Sequence, residues 1–228
     1  SAVQSIDQIV LATTVNNPLA LHHFGQTPLL QHMGSAKSKI PDLAATQMPV
    51  LGGAHSLMGY WYVASVIPTY FEKGASNCLE HYEWTNKEEE KLKVTFKYKS
   101  SATQKKPSVI FQDGRVVNKE TGTEWTVRPR LFNGNLPLPL WLPYIIIDHR
   151  LVVEPEKTYL VVGMPDRSYL WIMFRSPHVD PALVEELQQK CVDQFGYEKK
   201  NMKLVPQNWE EDYPRTDPKE WMAAECKN

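Results

Sequence analysis

The chain has 228 residues, 42% of them hydrophobic and 22% charged, with a formal net charge of −1. That balance supplies a sizeable core, excludes wholesale disorder and lacks the basic excess of a nucleic-acid-binding face. Seven Trp and ten Tyr favour strands and pockets over helical bundles.

Residues 1–57 show no sustained period, with Pro18, Pro28, Pro41 and Pro49 scattered among small residues. They read as an irregular N-terminal extension packed on its own domain or on a partner chain, since a long unpatterned segment is mobile unless tied down. The chain opens at Ser1 with neither an initiator Met nor a basic and apolar leader, which reads as a processed mature protein. His22, His23, His32 and His55 lack the spacing of metal ligands, so solvated imidazoles and no metal are expected there.

From Met58 the pattern changes to short β-like runs divided by turn signals. Tyr60–Val66 is the first, and Cys78–Trp84 and Lys91–Tyr98 form a hairpin across the polar turn Thr85-Asn86-Lys87-Glu88. The second arm alternates strictly, with Leu92, Val94, Phe96 and Tyr98 on a dry face and Lys91, Lys93, Thr95 and Lys97 on a wet one. Ser108–Asn118, Glu124–Leu131, Tyr144–Arg150, Thr158–Gly163 and Tyr169–Arg175 follow, punctuated by Asp113-Gly114 and Thr121-Gly122. About eight strands with no helix between them predict an all-β, eight-stranded antiparallel up-and-down barrel, wide enough inside for one small ligand. One C-terminal helix is expected from Pro181 to Phe195, capped by Asp180 and ended by Gly196, with Leu183, Leu187 and Cys191 on its apolar stripe. A last strand, Met202–Val205, precedes a polar tail over 208–228.

By alternation the barrel interior takes Tyr82, Trp84, Leu92, Val94, Phe96, Tyr98, Val109, Phe111, Trp125, Val127, Tyr169, Trp171 and Met173. A ligand-holding calyx and a filled core use the same residues, so alternation leaves both open. Three cysteines, Cys78, Cys191 and Cys226, allow one disulfide with a thiol left over, or three reduced thiols. They are too few and too dispersed for a paired-ligand zinc site. No nucleophile elbow, phosphate loop or His-Glu-X-X-His is present, so no catalytic set is named and an enzyme is not expected.

Three motif regions carry a resemblance: Gly59-Tyr60-Trp61-Tyr62 with Asn77-Cys78 downstream, Tyr144 to Asp148 with Tyr159 to Gly163, and Pro165 to Pro177. In order and at these separations they are similar, over residues 58–207, to the lipocalin family. The subgroup resembled is that of apolipoprotein D, the bacterial outer-membrane lipocalins and the chloroplast and temperature-induced lipocalins of plants. The resemblance implies that Arg175 lies across the Trp61 ring at the closed end, with Gly59 letting the chain pass close beneath. It implies a calyx walled in part by Trp171, binding a small lipophilic ligand such as a fatty acid, sterol or carotenoid. No cofactor is then required beyond a bound lipid or pigment. Cys78 matches a family cysteine that pairs near the C-terminus, which implies Cys226 as partner, although Cys226 lies farther along than the family pattern places it.

In that topology the stretch 133–143 joins two strands at the open end. Leu136, Leu138, Leu140 and Trp141 there read either as contacts for a membrane surface or partner, or as a lid over the mouth. Carriage of a small lipophile near a membrane is the leading expectation, in an oxidising or organellar compartment (plastid, envelope or extracellular). The alternative is an accessory subunit of a membrane protein complex, docked through the extension and this loop.

Overall fold

The computed structural model describes residues 41–101, 104 and 107–209. Among them stand ten strands and one α-helix: β1 (Gly59–Ile67), β2 (Ser76–Asn86), β3 (Lys91–Lys99), β4 (Ser108–Asn118), β5 (Glu124–Leu131), β6 (Leu136–Pro137), β7 (Leu142–Arg150), β8 (Tyr159–Gly163), β9 (Leu170–Phe174), α1 (Pro181–Phe195) and β10 (Lys203–Leu204). Sequential antiparallel pairing runs from β1 through β5 to β7, β8 and β9, and β9 returns to β1, so eight strands close a barrel. Closure leaves these strands no free edge. The two-residue β6 pairs with β5 and β10 pairs with β1, both outside the closed ring.

Strands β1, β7, β8 and β9 divide their side chains between two apolar clusters. Trp61, Tyr82, Val94, Phe96, Trp125, Tyr144 and Met173 pack inside the barrel. Ile145, Ile147, Val161, Ile172 and Phe174 pack outside, against Leu187 and Cys191 of α1. The helix begins where Asp180 accepts a hydrogen bond from the Ala182 amide at 2.9 Å, and Gly196 ends it at φ 72°. Gln188 donates to Ser65 Oγ at 2.8 Å, and Lys190 pairs with Asp148 at 2.6 Å, which fixes the helix on the wall.

Two expectations change. Val109 and Phe111 do not face inward, because the register sets Ile110 opposite Phe96 and Gly114 opposite Leu92. Ile110 and Val116 therefore pack on the interior cluster, while Lys93 lies 5.5 Å from the Phe111 ring on the outer face. Both phases of this strand carry apolar residues, so alternation alone does not choose between them. A side chain at Gly114 would meet Leu92 Cγ at 2.8 Å, so the observed phase needs a glycine there.

The second change is at the N-terminal boundary. The compact unit starts at Leu43 rather than Met58. Leu43, Thr46 and Val50 donate backbone hydrogen bonds to Pro165, Ile146 and Thr121, descending the outer wall. Val50, Ala54 and Leu57 are then buried in the interior cluster and seal one end of the barrel.

Candidate functional site

At the sealed end the Arg175 guanidinium lies 3.7 Å from the centre of the Trp61 ring. It donates to the carbonyls of Ser56, Met58 and Tyr60, each at 2.9 Å, and the Trp61 indole donates to Leu57 O at 2.8 Å. Gly59 holds φ +100°, and a Cβ there would sit 3.3 Å from the guanidinium. The arrangement ties the segment before β1 to the end of β9. A surface cleft of about 350 Å³ beside it is lined by Leu51, Ser56, Leu151, Val152, Val153, Pro155, Thr158 and Arg175, and lies outside the barrel interior.

Inside the barrel, next to the Trp61 end, stands a polar cluster. Glu80 shares the inward phase of β2 with Cys78 and Tyr82, and is paired across the sheet with Trp61 and Phe96. Tyr82 donates to Glu80 Oε2 at 2.5 Å and Tyr144 donates to the same oxygen at 2.8 Å, while the two hydroxyls lie 2.5 Å apart. Burial pushes the Glu80 carboxyl up to about 7, against the pull of these two hydrogen bonds. Burial also drives both phenols well above their ordinary value, so they remain protonated donors.

Nearer the open end, a 3-10 turn over Tyr70–Glu72 follows β1. Its Glu72 is buried, accepting from the Trp171 indole at 2.8 Å and from the Thr69 amide at 2.9 Å. Burial raises this carboxyl too, partly offset by the Trp171 and Thr69 hydrogen bonds. Aromatic rings connect the two acids: Trp171 stacks on Tyr144 at 6.1 Å, Tyr144 on Trp125 at 6.0 Å, and Tyr82 meets Trp125 edge-on at 5.4 Å.

Of the residues named from sequence, Tyr82, Val94, Phe96, Tyr98, Trp125, Val127, Trp171 and Met173 pack on the interior cluster. Tyr169 lies just before β9, its ring tilted against Trp171 at 6.0 Å. Trp84 stands apart from the acids, near the β2–β3 turn at the sealed end, where its indole donates to His55 Nδ1 at 3.0 Å. Glu72, Glu80 and Tyr144 were not among the named residues. Glu80 had a legible signal, a charge on the inward phase of β2, and Thr69-Tyr70-Phe71-Glu72 carries the spacing of a capping box.

Trp141 lies on the outer wall between the Arg115 and Arg128 guanidinia, 4.1 and 4.7 Å from its ring centre, and Leu138 is buried. Arg128 and Arg130 are in turn paired with Asp113. Leu136 and Leu140 stay exposed, with Phe132 beside them in sequence. Cys78 is a buried free thiol raised well above its ordinary value by burial, while Cys226, its expected partner, lies outside the described residues.

A family model for the lipocalin-like domain matches residues 54–207. Temperature-induced lipocalin-1 of Arabidopsis thaliana is 30% identical over 74 residues, which is 31% of this chain and 39% of that protein. The chain thus matches well under half of that relative's length. Among solved structures, insecticyanin from the tobacco hornworm Manduca sexta aligns with a TM-score of 0.49 at 13% identity, over 73% of this chain and 87% of its own. The amine binding protein of Rhodnius prolixus, solved as a tryptamine complex, aligns with a TM-score of 0.49 at 10% identity, over 72% of this chain and 86% of its own.

Proposed function

Because this chain belongs to the lipocalin-like family, whose members generally bind and carry, we propose that its barrel binds one small lipophilic molecule and does not catalyse. One observation carries the reading: an interior walled by aromatic and aliphatic side chains holds a hydrogen-bonded acid–phenol cluster. A packing core gains nothing from an acid that burial keeps hard to ionise. A ligand site does gain, because a few convergent polar groups fix the orientation of a molecule otherwise held by apolar burial. The apolar body lies against Val94, Phe96, Val127 and Met173, and its polar end meets Glu80, Tyr82 and Tyr144.

Titration with the fluorescent apolar probe N-phenyl-1-naphthylamine tests this. One saturable site per chain, with energy transfer from the interior Trp residues, is the expected result. No uptake by the folded protein rejects the reading.

A second reading, contact of the open end with a membrane surface or partner, draws on the exposed Phe132, Leu136 and Leu140. Flotation with anionic vesicles, compared between the unaltered chain and the triple Ser variant at these positions, tests it. Equal flotation removes this reading.

A further inference from the structure

Resting on that ligand-binding reading, we propose that the barrel selects a lipophile whose polar end is a cationic amine, held between Glu80 and Glu72 against the rings of Tyr144 and Trp171, and that it discriminates against fatty acids. Both carboxyls are buried, and Glu80 feels the charge of Glu72. A chain of contacts joins them through the rings: Glu72 to the Trp171 indole, Trp171 to the Tyr144 ring, and Tyr144 to Glu80.

Among the described residues no basic side chain pairs with these acids. On β3, Lys93, Lys97 and Lys99 alternate onto the opposite phase from Val94, Phe96 and Tyr98, which face the interior. At the sealed end, Arg175 is committed to Trp61 and three carbonyls, and His149 is bonded to Met48 O.

Both phenols converge on one oxygen of Glu80. Its other oxygen, on a side chain only 3% exposed, takes no hydrogen bond from any described residue. An acceptor left open beside two engaged phenols can take a further donor, and a donor that is also a cation offsets the cost of burying the negative charge. The stacked aromatic faces beside it add cation–π attraction, which is strongest where water is excluded. A carboxylate head meets the reverse situation: two acids, no cation among the described residues and two phenols already engaged.

Three probes with one alkyl chain separate the possibilities: dodecylammonium, dodecan-1-ol and dodecanoate, each titrated calorimetrically at pH 7 into the full chain below its micelle concentration. Dodecylammonium is expected to bind at least tenfold more tightly than dodecanoate, with dodecan-1-ol between them. Glu80→Gln and, separately, Glu72→Gln are expected to narrow that ratio. Each ratio is taken within a single variant, so it is independent of overall losses in affinity. If one variant fails to fold, the other and the unaltered chain still decide. Dodecanoate binding as tightly as dodecylammonium, or a ratio that survives both substitutions, overturns the amine assignment while the lipophile reading stands. Failure of all three probes to bind removes the lipophile reading itself, and the amine assignment with it.

Discussion

Two residues at the sealed end and one in the interior make opposite demands on the chain. Gly59 gives the backbone a positive φ beneath Arg175, in a region where any other L-residue is strained. Gly59→Ala should lower stability by about 1–3 kcal/mol in urea unfolding, the usual cost of a non-glycine residue at such an angle. Glu80 is a liability of the opposite kind. Its carboxyl is held at about 7 in the folded chain against an ordinary 4.5, so between those pH values the folded state keeps a proton that the unfolded state releases. Its contribution to stability is therefore complete below pH 4.5 and lost as pH rises through 7. At about 1.4 kcal/mol for each tenfold change, that loss is on the order of 3 kcal/mol. Glu80→Gln should flatten most of the decline seen by thermal unfolding between pH 5 and 8. Glu72, shifted in the same direction, keeps a remainder. Gly59, Trp61 and Arg175 were legible because the motifs that contain them resemble those of the lipocalin family. Glu80 was passed over because attention to apolar alternation discards a charge, although its position in β2 marked it as inward.

Strands were readable wherever one phase is apolar and the other polar, as in β3, and ambiguous wherever both are mixed. In β4 the sequence offers Val109 and Phe111 on one phase and Ile110 and Val116 on the other. Only pairing with β3 settles the choice, and that pairing is a tertiary fact. A matched pair of substitutions checks the phase. Ile110→Asp should cost about 2 kcal/mol more than Phe111→Asp in chemical denaturation, because it places a charge among apolar side chains. Equal losses would return β4 to the phase read from sequence. The helix α1 was legible from its ends, since Asp180, Pro181 and Gly196 are strong local signals that need no tertiary context. The loop leading to β7 was legible only in part. Leu136 and Leu140 are exposed, while Arg115 and Arg128, remote in sequence, receive Trp141 on the outer wall.

Across the whole barrel, closure by β9 on β1 turns local alternation into an enclosed interior, and the segment from Leu43 to Leu57 completes it. That segment carries no sustained periodic signal because it runs as irregular backbone along the wall until a short 3-10 turn over Gly53–Leu57. Only that turn sets a spacing, placing the buried Ala54 and Leu57 three residues apart, while Val50 is buried by the path of the chain. Enclosure changes the interior acids: in water they are ordinary carboxylates, and inside an apolar wall burial raises both. The decisive measurement is native mass spectrometry of the protein purified from its source, with solvent extraction of the same sample. One lipophile per chain, recovered in the extract and carrying a basic nitrogen, is the outcome this account expects. A chain at its bare mass under gentle ionisation, with no lipophile in the extract, speaks against a carrier and for a barrel that serves only as a packed core.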